Sequence, residues 1–251
     1  MLAIIPAAGR GSRIQPLAFS KELLPLGSRA VNGTEQPRAI SEHLLDRMAL
    51  AGAKRFCFVV APGKTDILQY YGDVYCGIPI FYLIQPLAHG LCDAVFRASI
   101  HIKTNEHVLI GLPDTLWFPE IGLAKLPETP LSLLLFPVLQ PELFDAVSLG
   151  PDNRVLTIAV KDSNATTEWI WGAMRLRGDV FKALDHFWRA REKRDEYLGT
   201  LINAWIAHGG EVYGYRLGTS YSDVGTLNGW RGALRAMNQG ASVQHSLEVS
   251  S

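Results

Sequence analysis

A chain of 251 residues with 48% hydrophobic side chains carries enough apolar surface for a sizeable core, which excludes a disordered protein. Twenty-four Lys and Arg balance 24 Asp and Glu; this speaks against a bulk nucleic-acid binder, which needs a basic excess, yet a phosphate site needs only a few local cations and backbone N–H groups. The three cysteines, Cys57, Cys76 and Cys92, form no Cys-x-x-Cys pair, so a disulfide framework or structural zinc is not expected and they read as small buried thiols.

In chain order, Leu2–Ile5 is a short buried strand ended by Pro6 and Gly9, with no basic region of a signal peptide before it. A helix is expected from about Pro37 to Ala51, with Ile40, Leu44, Leu45 and Met48 on one face, Pro37 in its first turn and Gly52 at its end. Arg55–Val60 reads as a strand, Thr65–Tyr71 as a short helix, Ile80–Ile84 as a strand, Gly90–Ile100 as a helix and Val108–Ile110 as a strand. This alternation predicts an α/β fold with a largely parallel sheet and helices on both faces.

After residue 130 the strands crowd together: Leu131–Phe136, Val155–Val160 and Trp169–Leu176. Helices over Asp179–Arg194 and Glu196–His208, a strand over Glu211–Arg216 and a helix over Leu227–Met237 complete the pattern. The mixed-sign run Arg189–Glu196 reads as a solvated helix face. One compact domain over residues 1–238 is expected, its halves meeting near residue 125 and the second adding a lid-like subregion, with residues 239–251 as a flexible tail. Leu131–Leu139, the longest apolar run, is far short of a membrane span, and the expectation is a soluble cytoplasmic protein.

The most informative stretch follows the first strand: Ala7-Ala8-Gly9-Arg10-Gly11-Ser12-Arg13-Ile14-Gln15-Pro16, then Ser20-Lys21-Glu22-Leu23-Leu24-Pro25. Glycines let backbone approach a phosphate closely and aim N–H donors at it. Arg13 can grip two phosphate oxygens and Lys21 adds a mobile point charge. A dinucleotide fingerprint would need a third glycine where Ile14 stands, and a Walker A loop would need Gly-Lys-Ser/Thr; neither is present.

Gly9-x-Gly11-Ser12-Arg13-x-x-Pro16 with Lys21 and Leu24-Pro25 resembles the signature of the sugar-1-phosphate nucleotidyltransferases, and Ser20–Pro25 looks most like their glucose-1-phosphate thymidylyl and uridylyl branches. Ser12 stands where Thr is commoner, and Ser28–Gln36 is longer than the usual turn before the helix. The matching elements run from residue 2 to about 237. The resemblance implies a Rossmann-like, open, mostly parallel mixed sheet of the nucleotide-diphospho-sugar transferase type. It also implies nucleotide contacts from Ala8, Gly9, Gly11 and Ser12, with catalytic charge from Arg13 and Lys21.

Asp114, in Gly111-Leu112-Pro113-Asp114-Thr115, lies just past a strand, the usual ligand crevice of a parallel sheet. The resemblance makes it a Mg²⁺ ligand, and Tyr221-Ser222-Asp223-Val224-Gly225-Thr226 supplies Asp223 as the second; Mg²⁺ favours one or two carboxylates with phosphate oxygens and water. Gln85, in Gln85-Pro86-Leu87-Ala88-His89-Gly90-Leu91, would read the base, and Gly90 would permit close approach to the nucleotide. Lys161 resembles the lysine that holds the sugar phosphate, although Val160 stands where the family has a Glu for sugar hydroxyls and Asp162 where it has Pro. Trp171 and Gly172, within Trp169–Ala173, wall the sugar site or belong to the core; both readings stay open.

The implied activity is Mg²⁺-dependent nucleotidyl transfer from a nucleoside triphosphate, with dTTP or UTP favoured, to a sugar 1-phosphate. No nucleic acid or membrane partner is expected, and a homo-oligomer is left open. A transferase for a non-sugar phosphate such as phosphocholine, or a non-catalytic sensor on the same fold, are the alternatives.

Overall fold

A computed structural model describes the backbone of residues 1–248 and the side chains of residues 1–237. Among them the strands are β1 (Leu2–Pro6), β2 (Pro25–Val31), β3 (Thr34–Ala39), β4 (Arg55–Val60), β5 (Val74–Tyr75), β6 (Ile78–Ile84), β7 (His107–Gly111), β8 (Thr115–Phe118), β9 (Leu131–Pro137), β10 (Asp145–Leu149), β11 (Val155–Val160), β12 (Trp169–Arg177), β13 (Tyr213–Tyr215) and β14 (Ser220–Asp223). The helices are α1 (Ile40–Leu50), α2 (Thr65–Tyr71), α3 (Gly90–Phe96), α4 (Gly178–Ala190), α5 (Leu198–Ala207) and α6 (Leu227–Glu248).

The centre of the main sheet is parallel, in the order β7, β1, β4, β6. Antiparallel β12 continues it beyond β7, with Met174 opposite Ile110, and β9, β10, β11 and β13 attach through β12. Strands of both halves therefore share one sheet, and the crowded second half extends that sheet where a lid-like subregion was expected. Alternation along each strand divides the core into two layers. Leu2, Ile4, Cys57 and Val59 face Phe96, Phe181, Leu184 and Trp188 of α3 and α4, while Ala3, Ile5, Phe56 and Phe58 face Leu44, Leu45, Met48 and Ile67 of α1 and α2. Helices on both faces are the outcome, as the strand–helix alternation predicts.

The expected helix start at Pro37 is corrected. Pro37 lies inside β3, which pairs with β2 as a hairpin, and the helix begins at Ile40. Asn32 (φ 50°) and Gly33 (φ 78°) close that hairpin; two left-handed residues in succession match the twist of the flanking strands, which is why Asn-Gly favours such turns. The longer segment before the helix is this hairpin.

Other boundaries shift for local reasons. The helix from Gly90 gives way to a 3-10 turn at Arg97–His101. The solvated-face reading of Arg189–Glu196 is also corrected: α4 ends at Ala190, Glu192 and Lys193 take left-handed backbone, and Asp195 is buried against Arg191. Cys57 and Cys92 are buried but Cys76 is exposed, on the turn between β5 and β6. The last helix runs past Met237 to Glu248, into the expected tail, because that stretch holds no proline and a lone Gly240 costs a helix only about 1 kcal/mol. Residues 249–251 of that tail lie outside the described residues.

A smaller third cluster positions the functional loops. Leu24, Leu26, Ile40, Leu116, Val224 and Ala233 pack together, with Ile14, Leu17 and Trp230 against them. It binds the glycine loop, the hairpin, β8 and α6 into one unit, and Trp230 Nε1 donates to the Pro25 carbonyl at 3.2 Å.

Candidate active site

The carboxyl ends of β1, β4, β6 and β7 open on one edge of the sheet, where side chains and backbone groups are free for a ligand because the strand ladder has ended. The glycine loop leaves β1 there, anchored by Ala7 N–H on the Val59 carbonyl at 2.7 Å. Gln85 follows β6 and is anchored by its own N–H on Val60 at 2.8 Å. Asp114 follows β7.

Lys21 opens a single 3-10 turn and points back under the loop. Gly11 takes φ +64°, and a Cβ there would lie 2.9 Å from Lys21 Cδ, so the loop lies directly on the lysine stem. Lys21 Nζ donates to Asp114 Oδ2 at 2.5 Å, with both side chains nearly enclosed. Burial alone pulls the Lys21 ammonium down, but attraction from Asp114, Glu22 and Asp223 outweighs it and holds the group above its ordinary value.

Asp223 reaches the same place along a two-stranded ladder. β14 pairs antiparallel with β8, Asp223 stands opposite Thr115, and Val224 N–H donates to the Asp114 carbonyl at 2.8 Å. Arg13, largely exposed, pairs with Asp223 Oδ2 at 3.1 Å. Gly225 N–H donates to Asp223 Oδ1 at 2.8 Å. A Cβ at Gly225 would lie 2.8 Å from Asp223 Oδ1 and 3.2 Å from Asp114 Oδ2, so the two carboxylate oxygens are at most about 6 Å apart. Glycine at 225 leaves the space between them clear.

Two carboxylates facing one gap fit a Mg²⁺ ion, whose bonds to oxygen are about 2.1 Å long and whose other positions go to phosphate and water. Among the described residues no cluster of three or more His, Cys, Asp or Glu could hold a metal ion.

Beside this gap lies a cavity of about 420 Å³ lined by Arg10, Gln15, Ser20, Lys21, Lys64 and Asp66, among others. Lys64 pairs with buried Glu22 at 2.7 Å. Burial pushes the Glu22 carboxyl up while Lys64 and Lys21 pull it back, and the net is raised. Arg10 and Lys64 were not singled out from sequence, although a cation just past a parallel strand, as Lys64 is past β4, is the kind of signal that marks this crevice.

Gln85 is 5% exposed, and its amide Nε2 donates to the Gly90 carbonyl at 3.0 Å and to Asp93 Oδ2 at 2.8 Å. Arg97 grips the same Asp93 carboxylate. The amide is thus turned so that its carbonyl oxygen is the atom left without a partner among the described residues. Gly90 (φ +87°) is required by a close approach to protein: a Cβ there would lie 2.8 Å from the Glu196 carbonyl oxygen. That carbonyl accepts from Leu91 N–H at 2.9 Å, so the loop before α5 caps α3. Gly90→Ala is expected to destabilise the fold by about 2 kcal/mol through backbone strain and this clash; a urea midpoint equal to wild type would show that the loop relaxes freely.

The remaining candidates gather on the second half. Lys161, exposed and at φ 47°, carries its Nζ 4.2 Å from the Tyr197 ring centre. Trp171 is buried, with Nε1 donating to Asp145 Oδ2 at 3.1 Å. Gly172 sits at a register shift of β12, where a Cβ would press on Tyr221 and Phe136 at 2.6 and 2.7 Å; its demand for glycine comes from packing beneath the tyrosine that precedes Asp223. Ala8 is buried, Ser12 is exposed, and a Cβ on Gly9 would stand 3.9 Å from Lys21 Nζ.

Known proteins share parts of this sequence and its fold. The chain is 34% identical over 122 residues to the UTP–glucose-1-phosphate uridylyltransferase AglF of Haloferax volcanii, covering 49% of this chain and 46% of that protein. It is 27% identical over 233 residues to the bifunctional protein GlmU of Methanococcus maripaludis, covering 90% of this chain and 51% of that one. The chain is related to the sugar-1-phosphate nucleotidyltransferases. It spans about half the length of these relatives. No family model matches it. A Bacillus anthracis structure assigned as a glucose-1-phosphate thymidylyltransferase superposes with a TM-score of 0.78 at 18% identity, covering 94% of this chain and 95% of that one. The UTP-bound UGPase of Acinetobacter baumannii gives 0.76 at 17%, covering 94% and 92%. At these identities the structures show a shared fold, and this is the Rossmann-like sheet that the loop signature implied.

Proposed function

We propose that the chain transfers a nucleotidyl group from a nucleoside triphosphate to a sugar 1-phosphate and releases pyrophosphate. The observation that carries this reading is the β8–β14 ladder, which sets Asp114 and Asp223 across one gap while Lys21 and Arg13 of the glycine loop each hold one of them. A bare binding protein needs cations for phosphate but has no need of two opposed carboxylates.

A sugar-phosphate oxygen is already an anion at neutral pH, so attack on the α-phosphorus needs no side-chain base, and catalysis rests on position and charge. Mg²⁺ on Asp114 and Asp223 would supply charge neutralisation at the α-phosphate. Lys21 and Arg13 would stabilise the leaving pyrophosphate, with Arg10 and Lys64 of the neighbouring cavity adding positive charge. Lys161 would hold the attacking phosphate. A cytoplasmic setting suits such substrates, and among the described residues no helix is long and apolar enough to cross a membrane.

For the base, Gln85 presents a carbonyl oxygen, which accepts a hydrogen bond and gives none. Uracil and thymine carry N–H at N3 and match it; cytosine and adenine carry a bare ring nitrogen at the corresponding edge and would leave the oxygen unpaired, costing roughly 1–3 kcal/mol. We expect dTTP or UTP to exceed ATP and CTP by at least about tenfold in kcat/KM, and Asp93→Ala to narrow that gap by freeing the amide. Pyrophosphate release, measured for every common triphosphate against a panel of sugar 1-phosphates and phosphocholine, tests both points. Binding without release would overturn the transferase reading, and a tenfold preference for ATP, CTP or GTP would overturn the base assignment alone.

A further inference from the structure

Asp145 and Val160 stand directly opposite each other on the antiparallel β10–β11 ladder. Residues so paired project to the same face with Cβ atoms about 5 Å apart. Val160 offers no polar atom to that face; Asp145 offers a carboxylate. Lys161, the next residue, swings out at φ 47° onto the Tyr197 ring. The ladder end thus sets a carboxylate beside a cation. β11 is held from behind by Asn203, whose amide accepts from Ile158 N–H at 2.8 Å and donates to its carbonyl at 2.7 Å.

The carboxylate is fixed on one side and open on the other. Oδ2 takes the indole N–H of buried Trp171 at 3.1 Å, and a Cβ on Gly199 would lie 2.7 Å from it. Oδ1 takes no side-chain hydrogen bond and the group pairs with no cation among the described residues, although Lys161 lies within electrostatic reach. Burial pushes the carboxyl up, and Trp171, Lys161 and the Gly199 N–H pull it back. Asp145 also lies beside the crevice: the ring of Tyr221, on the strand that carries Asp223, is 5.7 Å from that of Phe144, the residue before Asp145.

A half-buried carboxylate with a free oxygen costs stability unless a donor completes it. Resting on the nucleotidyl-transfer reading, we propose that Asp145 is the specificity-determining residue that receives hydroxyl groups of the sugar whose phosphate is held by Lys161. The indole N–H aims Oδ2 and leaves Oδ1 for the sugar, so the site demands a hydroxyl-bearing acceptor and discriminates against one that lacks the donor in reach.

The test uses the full chain, with glucose 1-phosphate and its monodeoxy analogues as acceptors and separate KM values for triphosphate and acceptor. Asp145→Ala and Asp145→Asn are expected to raise KM for glucose 1-phosphate at least tenfold and leave KM for the triphosphate within twofold. Asn can still accept from Trp171, so its melting temperature should stay near wild type and separate lost recognition from lost folding. Wild type should lose about tenfold on one monodeoxy analogue, and Asp145→Ala should lose nothing further on it. The double variant Asp145→Ala with Val160→Glu returns a carboxylate to the same face from the opposite strand and should recover most of the loss. Equal rises in both KM values, strictly additive losses on every analogue, or lowered melting with unchanged KM would each overturn the assignment and leave the transferase reading intact. Wild type that releases no pyrophosphate with any pair would overturn the transferase reading, and this assignment with it.

Discussion

Asp114→Asn and Asp223→Asn are each expected to lower kcat by roughly 10³-fold or more, because each removes half of the negative charge that, on the proposed reading, would face Mg²⁺ and the α-phosphate. Stability separates the two variants. Asp114 is enclosed with Lys21, and removing one partner of a buried pair leaves the other charge uncompensated, at a cost of about 3 kcal/mol or more. Asp223 pairs with Arg13, whose side chain is 62% exposed, and surface pairs contribute at most about 1 kcal/mol. Urea unfolding should therefore place Asp114→Asn well below Asp223→Asn, while both are equally inactive. EDTA should silence wild type and Mg²⁺ restore it. Normal turnover in EDTA, or an active Asp223→Asn, would remove the metal assignment and leave the fold assignment standing.

Lys21→Met lowers kcat/KM by roughly 10²–10³-fold. The ammonium lies under the glycine loop, against Gly11 and Asp114, where on the proposed reading a polyphosphate would cross from the loop to the carboxylates. Its raised folded pKa also has a consequence for stability. The contribution of the Lys21 pair is complete below the ordinary lysine value of 10.5 and is lost as pH climbs through the higher folded value. Wild type should accordingly lose stability above that pH, and the difference between wild type and Lys21→Met should shrink there. A Lys21→Met variant with unaltered kcat/KM would mean that the lysine serves only to support Asp114. A wild-type-to-variant stability gap that does not change between pH 8 and pH 12 would mean that the ion pair contributes nothing.

Several features of this protein were legible in the order of its residues. β4 and β11 begin and end where their apolar runs do, and α2 fills Thr65–Tyr71. After Arg55 every residue of β4 is apolar and buried, and β11 is apolar but for Thr157, so the signal of each is local. The glycine loop was legible for another reason: two glycines, an arginine and a lysine at set spacing are needed wherever backbone meets phosphate, whatever surrounds them. The hairpin of β2 and β3 also has a local signal in Asn32-Gly33, although the apolar period after Pro37 favours a helix there.

Tertiary structure alone decided the rest. β8 and β14 are four residues each and have no hydrophobic period of their own; they exist because they pair with one another, and only that pairing puts Asp223 beside Asp114. Glu196 looked like part of a charged helix face, yet its carbonyl caps α3 and its nearness makes Gly90 obligatory. The orientation of the Gln85 amide depends on Asp93 and Gly90, and the partner of Val160 is Asp145 across a ladder. Periodicity and spacing report what a residue needs from its own element, solvent or core. Which residue stands across a ladder or over a loop is set by chain closure between distant segments, and this is where the charges of the site were brought together.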